Sequence, residues 1–160
     1  PLDGVEVRTV GGEIQVRGET VTPGYWKRPD ATAAAFTPDG WLRTGDLAVL
    51  DSEGYVSIVD RKKDMIITGG EKVYSTEVEA VLYQHPGILE AAVFGSPDPI
   101  WGEVVNAAVV LREGTRLTAE EITEFCRPQL AGFKLPRQVR FLTELPKTGS
   151  GKILKRALAG

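Results

Sequence analysis

The chain has 160 residues with a net charge of −3, and 42% of them are hydrophobic and 26% charged, as in a globular protein with one domain or two small ones. No apolar run approaches the roughly 20 residues of a membrane-spanning helix, and we expect no signal peptide, since the first ten residues lack a basic start followed by an apolar stretch. The single Cys126 excludes an internal disulfide, which favours a cytoplasmic location. Because the chain starts inside an expected strand without Met, we expect it to be part of a longer chain.

The charge is distributed unevenly along the chain. Residues 1–129 hold 12 Lys and Arg against 21 Asp and Glu, whereas residues 130–160 hold seven against one. A basic end on an acidic body indicates an anionic ligand or partner, but a solvated basic surface explains the same pattern, and charge alone favours that explanation. Few aromatic residues are interleaved with the basic ones, so we expect no nucleic-acid partner.

The first third of the chain has the pattern of antiparallel strands. Residues 5–10 and 13–18 alternate in hydropathy around Gly11–Gly12, which predicts a hairpin. After a loop rich in Pro and Gly, residues 31–36 predict a helical turn. Residues 40–60 then predict two strands around an Asp-Ser-Glu-Gly turn.

The rest of the chain mixes helices and strands. We predict a hairpin over 63–75 that turns at Gly69–Gly70, a helix over 75–87, strands over 88–97 and 103–113, a helix over 118–132, a strand over 138–145 and a short helix over 153–159. Ser75 or Thr76 can cap the first helix. Thr118 and Glu121 have capping-box spacing at the second helix, which Pro128 ends or kinks.

The charged run over residues 60–64 indicates a domain boundary. Five consecutive charged residues cannot be buried together, so they form an exposed connector. We therefore predict an α+β chain in two parts. Residues 1–62 form a β-rich part, and residues 63–160 form a small mixed α/β domain with a three-stranded sheet and flanking helices.

The stretch LPKTGSGKILKR over residues 145–156 contains a Gly-Lys pair but is not a phosphate loop of the Walker type. That motif needs Gly five residues before Gly151 and Ser or Thr after the lysine, and here Pro146 and Ile153 stand there. What remains is a small glycine-rich loop that carries one ammonium group, Lys152. On this stretch alone, a solvated lysine is the more common case.

Other stretches each have two interpretations. Asp46 can accept hydrogen bonds from a sugar diol or close a turn, and Gly69–Gly70 can admit a ligand to bare backbone or simply turn a hairpin. Trp101–Gly102–Glu103 can shape a surface or anchor the strand that follows. His85 has no second His and no Cys nearby, so we expect no metal site.

Four stretches, in this order and spacing, resemble one family. They are GEIQVRGETVTPGYWKRPDATAAAF, GWLRTGDL, VDRKKDMIITGGEKVYSTEVEAVL and LPKTGSGKILKR. They resemble the carboxy-terminal third of the AMP-forming acyl-CoA synthetases, whose superfamily includes peptide-synthetase adenylation domains and luciferases. The resemblance covers essentially the whole chain and implies that residues 1–62 are the β-rich remnant of a large N-terminal AMP-binding domain.

The resemblance also implies roles for individual residues. In this family ATP and a carboxylic acid form an acyl-adenylate, CoA then displaces AMP, and the small C-terminal domain rotates between the two half-reactions. By position, the resemblance assigns nucleotide binding to Asp46 and Arg61, the hinge to Lys63, the pantetheine tunnel to Gly69 and Gly70, and catalysis of adenylation to Lys152.

The expected cofactors are ATP or AMP and CoA, together with Mg²⁺ whose ligands lie outside this part of the protein. The expected partners are a small carboxylic acid and the missing N-terminal domain, and this part alone is expected to be inactive. An adenylation domain that loads a carrier protein is the alternative, although the residues after Arg61 favour the CoA ligases. A stand-alone binding or regulatory module is a third possibility.

Overall fold

The computed structural model describes residues 2–159 and divides the chain into two compact units. The first unit ends at Lys63 and the second begins at Asp64, one residue from the boundary that the charged run indicates. Each unit has its own sheet, and no strand continues from one sheet into the other within the described residues.

The first unit is a four-stranded antiparallel sheet with one short helix. Its strands are neighbours in chain order: β1 (Val5–Val10), β2 (Glu13–Gly18), β3 (Leu42–Leu50) and β4 (Val56–Arg61). Both predicted strand pairs are confirmed. The helix α1 (Pro29–Ala35) begins two residues before the predicted helical turn, because proline is well tolerated in a first helical turn, where its missing N–H has no intrahelical partner.

The second unit is built on a mixed five-stranded sheet. Its strands are β5 (Ile66–Thr68), β6 (Glu71–Val73), β7 (Ile88–Asp98), β8 (Gly102–Leu111) and β9 (Gln138–Phe141). The strand β8 pairs along its length with β7, which is antiparallel to it. It also pairs with β9, which is parallel to it, and at Gly102 with β5 of the β5–β6 hairpin. The α+β class is confirmed, and the predicted three-stranded sheet is larger by this hairpin.

The two faces of this second sheet are covered differently. The helices α2 (Ser75–Leu82) and α3 (Ala119–Cys126) pack on one face, where their buried residues meet Val93, Val105 and Val109. On the opposite face, the side chains of Phe94 and Ala108 are covered by Leu145, Ile153 and Leu158. The C-terminal segment that carries Lys152 is therefore part of the core packing rather than a loose tail.

Several predicted boundaries are wrong, for local reasons. The N-cap of α2 is Tyr74 and not Ser75 or Thr76, because Ser75 is already helical and buried, where its hydroxyl accepts a hydrogen bond from Lys155. Both helices end early, at Leu82 and Cys126, and β9 ends at Phe141. The expected last helix is a 3₁₀ turn, Lys155–Ala157.

The helix α3 shows which local signals are reliable. Its capping box is confirmed: the Thr118 hydroxyl accepts the Glu121 N–H, and the Glu121 carboxylate accepts the Thr118 N–H. Its early end follows from Pro128, which has no N–H to continue the helical ladder. None of the helices over residues 2–159 has the length and apolar character needed to cross a bilayer.

The buried Cys126 provides a test of the second core. Its thiol lies among apolar side chains, and burial raises its pKa. Because the thiolate is the reactive form, we expect an alkylating reagent at neutral pH to modify Cys126 about a hundredfold more slowly in the native full-length protein than in denaturant. Mass spectrometry of the peptide containing residue 126 measures the rate. Rapid labelling without denaturant would contradict this packing.

Candidate functional site

The first candidate cluster lies where β3 and β4 pair. Asp46 and Arg61 are directly opposite in the antiparallel register, and Arg61 Nε lies 2.8 Å from Asp46 Oδ1. The Asp46 N–H donates to Thr44 Oγ1 at 3.1 Å, and that hydroxyl donates to the Ile14 carbonyl at 2.9 Å. The Asp46 backbone is therefore held through Thr44 and β2, its carboxylate is paired with β4, and its side chain remains one-quarter exposed.

The residue before Asp46 is a glycine for a conformational reason. Gly45 has φ of 73°, a value that side chains other than glycine rarely adopt. Its N–H donates to Glu13 Oε1 at 3.2 Å, and its carbonyl accepts the Lys62 N–H at 2.8 Å. The buried Glu13 carboxylate is also paired with the Lys62 ammonium at 2.9 Å, so its charge is compensated.

A surface cavity of about 360 Å³ lies against this corner. It is lined by Gly45, Arg61, Lys62 and Lys63, which is three cationic residues around bare backbone. Such a lining suits an anionic group, since Arg and Lys bind phosphate and an exposed glycine lets the group approach the main chain. With Asp46 beside it as an acceptor for hydroxyl groups, the corner has the chemistry to hold a phosphorylated sugar.

The second candidate site is the tight loop over residues 147–153, called here the lysine loop. An isolated antiparallel bridge joins Lys147 to Ile153, and the Thr148 N–H donates to the Lys152 carbonyl at 2.8 Å. The Lys152 N–H donates in turn to Thr148 Oγ1 at 3.1 Å. Gly151 has φ of 83°, so the loop needs a glycine there to close.

Two lysines beside Lys152 anchor the loop. The Lys147 ammonium is paired with Glu90, and the Lys155 ammonium lies 2.6 Å from Glu79 Oε1 and 2.7 Å from Ser75 Oγ. The side chains of Lys155 and Glu79 are each only 16% exposed. Sequence reasoning missed these anchors, and the only signal for them was the excess of positive charge after residue 129.

Lys152 is the exception among the three lysines of this motif. Its side chain is exposed, and no carboxylate among residues 2–159 lies within ion-pairing distance of its ammonium. A lysine without a partner, on a loop whose ends are fixed, can deliver its charge to a ligand without first breaking an ion pair. The structure thus separates two structural lysines from a free one.

A third feature is the turn at Gly69 and Gly70, called here the glycine turn. Both residues have positive φ, 57° and 86°, and a Cβ at Gly69 would lie 2.8 Å from the Trp101 ring. The turn borders a cavity of about 490 Å³ in the second unit, whose lining includes Thr68, Gly69, Trp101, Phe133, Leu135 and Arg137. The exposed ring of Trp101 and bare backbone give this cavity a wall on which an extended chain can lie.

The glycine turn and one of the two anchors of the lysine loop lie at opposite ends of β8. The turn joins β8 at Gly102, whereas Glu90, which pairs with Lys147, is opposite Val110 on the same strand. The eight steps along the strand from Gly102 to Val110 span about 26 Å. The Lys147 anchor is therefore well separated from the glycine turn.

The remaining sequence candidates have structural positions. Lys63 is the exposed last residue of the first unit, and Asp46 and Lys152 belong to different units. His85 accepts the Gly87 N–H on Nδ1 at 3.0 Å, and its ring packs edge-on against Phe125 at 4.8 Å. Across residues 2–159, no three His, Cys, Asp or Glu side chains are grouped closely enough to hold a metal ion.

Comparison with known proteins agrees with this fold. Residues 77–152 match the AMP-binding enzyme C-terminal domain. Feruloyl-CoA synthase from an Amycolatopsis species is 53% identical over 144 residues, 90% of this chain and 29% of that protein. Long-chain-fatty-acid–CoA ligase from Bacillus subtilis is 50% identical over 147 residues, 92% of this chain and 26% of that protein.

A solved structure agrees over the full length of the chain. It is the o-succinylbenzoate CoA synthetase MenE from Bacillus subtilis, in complex with its acyl-adenylate intermediate. The TM-score is 0.90 at 39% identity, and the match covers 100% of this chain and 34% of MenE. The chain thus spans about a third or less of each of these proteins.

The fold and the matched domain define the class of the second unit, which contains an AMP-binding enzyme C-terminal domain over residues 77–152. The chain belongs to the AMP-forming acyl-CoA synthetase family, of which it is a C-terminal part. The four motifs that indicated this family in the sequence lie on the strands, turns and loops described above, and the family assignment made from them is confirmed.

Proposed function

We propose that the whole protein is an ATP-dependent carboxylic acid–CoA ligase. In its first half-reaction the acid's carboxylate attacks the α-phosphorus of ATP, which forms the acyl-adenylate and releases pyrophosphate. In the second, the CoA thiol attacks the acyl carbon, loses its proton and releases AMP. The names of the relatives support this proposal, since both are CoA-thioester-forming enzymes and MenE was solved with an acyl-adenylate.

The observation that carries this proposal is the free ammonium group of Lys152. Attack of a carboxylate on a phosphate brings two anions together, and a positioned cation lowers the cost of that approach. Lys152 is exposed and has no ion-pair partner in the described part of the chain, while Lys147 and Lys155 hold its loop in place. We propose that Lys152 contacts the α-phosphate and the carboxylate during adenylation only.

We further propose that Lys63 is the hinge about which the second unit turns between the half-reactions. The lysine loop and the glycine turn are needed at the same acyl group, one for adenylation and the other for thiol attack. The glycine turn joins β8 at Gly102 and the Lys147 anchor of the lysine loop lies opposite Val110, about 26 Å along the strand, which supports a change of arrangement between the two steps. A residue between two compact units is the expected position for the backbone rotation that moves the second unit.

The remaining proposed contacts concern the nucleotide and the thiol. Asp46 would accept hydrogen bonds from the ribose hydroxyls and Arg61 would bind the same nucleotide, in keeping with the cationic cavity beside them. Gly69 and Gly70 would line the passage of the pantetheine arm. Mg²⁺ would neutralise the phosphates of ATP, with ligands in the missing N-terminal domain.

The choice of acid is proposed to lie in that missing domain. Feruloyl-CoA synthase and long-chain-fatty-acid–CoA ligase are named for very different acids, yet each is about half identical to this chain. The part of each relative that matches this chain therefore contributes little to the difference in which acid is used. Fatty and aryl acids both remain candidate substrates.

The second candidate function is the loading of a carrier protein instead of free CoA. The cavity beside the glycine turn favours neither acceptor by its shape, because both present the same pantetheine arm. The exposed Arg137, whose guanidinium lies 5.6 Å from the centre of the Trp101 ring, favours CoA, since the nucleotide of CoA carries more phosphate groups than the single phosphodiester of a carrier protein's arm.

The test of the proposed function is an acid screen on the full-length protein. We expect release of pyrophosphate from ATP that depends on one class of fatty or aryl acid, and a CoA thioester only when CoA is added. Thioester formation on a carrier protein but not on CoA would favour the second candidate. Folded protein that releases no pyrophosphate with any acid of a broad panel would overturn the proposal.

The variant Asp46→Ala tests the nucleotide contact. Loss of hydrogen bonds between a carboxylate and hydroxyl groups costs about 1.5–3 kcal/mol, so we expect AMP to bind about ten- to a hundredfold more weakly and both half-reactions to slow. Calorimetric titration of the full-length protein with AMP measures the change. Glu53→Ala, at an exposed turn in the same unit, is the matched control. Unchanged AMP affinity in Asp46→Ala would exclude the ribose contact.

A further inference from the structure

The β5–β6 hairpin that carries the glycine turn has little strand pairing with its sheet. Only one residue pair, Thr68 with Gly102, joins β5 to β8 in the ladder, and each of the two hairpin strands is only three residues long. The buried side chains of Ile66 and Val73 hold the base of the hairpin in the core. The position of the glycine turn beyond that base depends on further contacts, since a short hairpin alone is marginally stable.

Two of these contacts come from the segment that begins β8. The Trp101 carbonyl accepts the Gly69 N–H at 2.8 Å, and Glu103 Oε2 accepts the Ile67 N–H at 2.8 Å. The carboxylate thus supplies an acceptor to β5 one residue before the single ladder pair. A hydrogen bond to a charged group is stronger than one between neutral groups, which suits a contact that replaces a missing ladder bond.

The space for this carboxylate is provided by a glycine on the neighbouring strand. A Cβ at Gly95 would lie 2.9 Å from Glu103 Oε1, 3.2 Å from its Cδ and 3.3 Å from Cγ2 of Ile66. The backbone of Gly95 does not have the positive φ that excludes other residues, so the missing side chain is needed for room rather than for conformation. Gly95 and Glu103 therefore act together on Ile67.

We infer that Glu103 is a positioning residue for thioester formation. Resting on the proposed function, the inference is that its carboxylate holds β5, and through β5 the glycine turn, where the pantetheine arm passes. Glu103 has no assigned role in adenylation, because its carboxylate contacts Ile67 and not the lysine loop or the ion pairs that anchor it. Loss of the Glu103 carboxylate should slow thioester formation and leave adenylation nearly unchanged.

The test combines amide hydrogen exchange with single-turnover kinetics on the full-length protein. In Glu103→Ala we expect the Ile67 amide to exchange about tenfold faster and thioester formation from preformed acyl-adenylate to slow about tenfold, the scale for one lost hydrogen bond to a charged group. Adenylation should stay within about twofold, and Glu103→Gln, which keeps an acceptor oxygen, should recover most of the loss.

A second variant, at Gly95 on the neighbouring strand, disturbs the same contact between Glu103 and Ile67. Gly95→Ala would push the Glu103 carboxylate away from Ile67 without changing any charge, and its methyl group would also press on Ile66, so it should give both effects of Glu103→Ala at least in full. The double variant should be no worse than Gly95→Ala alone, because the link through Glu103 is already broken there. Glu113→Ala, an exposed position just beyond the other end of β8, is the control and should change neither measurement.

The outcomes separate this inference from the proposed function. Unchanged Ile67 exchange in Glu103→Ala would overturn the inference, as would faster exchange with an unchanged thioester step or an equal loss of adenylation. If the unaltered protein formed no thioester, the proposed function would fail instead. The exchange measurements would then still decide whether Glu103 and Gly95 control the glycine turn.

Discussion

Lys152→Ala in the full-length protein is expected to slow acyl-adenylate formation by roughly 10²–10³-fold, the scale for the loss of one electrostatic contact to a transition state. Thioester formation from supplied acyl-adenylate should change far less, because no second anion then approaches the phosphate. The loop should keep its shape, since its backbone hydrogen bonds and the ion pairs of Lys147 and Lys155 do not involve the Lys152 side chain. Single-turnover kinetics of each half-reaction measures the two effects.

The matched control is Arg156→Ala, which removes one positive charge from an exposed side chain of the same segment. It should leave both half-reactions nearly unchanged, which would show that the position of the charge matters and not the basic character of the segment. Comparable slowing of both half-reactions in Lys152→Ala would show that the assigned role is wrong.

Lys63→Pro is expected to spare one half-reaction and cripple the other. Proline holds φ near −65°, so a backbone that must change at this residue is left in one of its two states. If the forbidden state costs about 3 kcal/mol, the affected half-reaction slows about a hundredfold. Both half-reactions are followed separately, with acid and ATP for the first and with acyl-adenylate and CoA for the second.

The control for the hinge is Lys63→Ala, which removes the side chain but keeps the backbone free. Lys63→Ala should retain both half-reactions, except for any slowing that comes from removing the Lys63 ammonium group from the cationic cavity of the first unit. Equal loss of both half-reactions in Lys63→Pro, in protein that remains folded, would argue against a hinge at this residue.

Some sequence patterns in this chain determine the local structure on their own. The hairpin around Gly11–Gly12 and the capping box of α3 are present as predicted, because each depends on residues a few positions apart. The predicted cap of α2 failed because Ser75 is engaged by Lys155, 80 residues away. No local pattern can report a partner so distant in the chain.

The candidate site also has features that the sequence predicts and features that depend on the fold. The motif containing Lys152 and its glycines can be recognised in the sequence, as can the Thr-Gly-Asp segment that ends in Asp46. Their chemistry follows from residue types and spacing together with the family resemblance. The direct pairing of Asp46 with Arg61 was not predicted, because it depends on the register between β3 and β4.

The sequence by itself determined the α+β class, the family and the motif that carries Lys152, since these depend on local patterns and on their order. Only the tertiary structure decided which of the three lysines in that motif has no ion-pair partner among residues 2–159, and that the Glu103 carboxylate accepts the Ile67 N–H from another strand. The physical reason is that ion pairs and single hydrogen bonds form between residues that the fold brings together, such as Lys147 and Glu90, 57 positions apart.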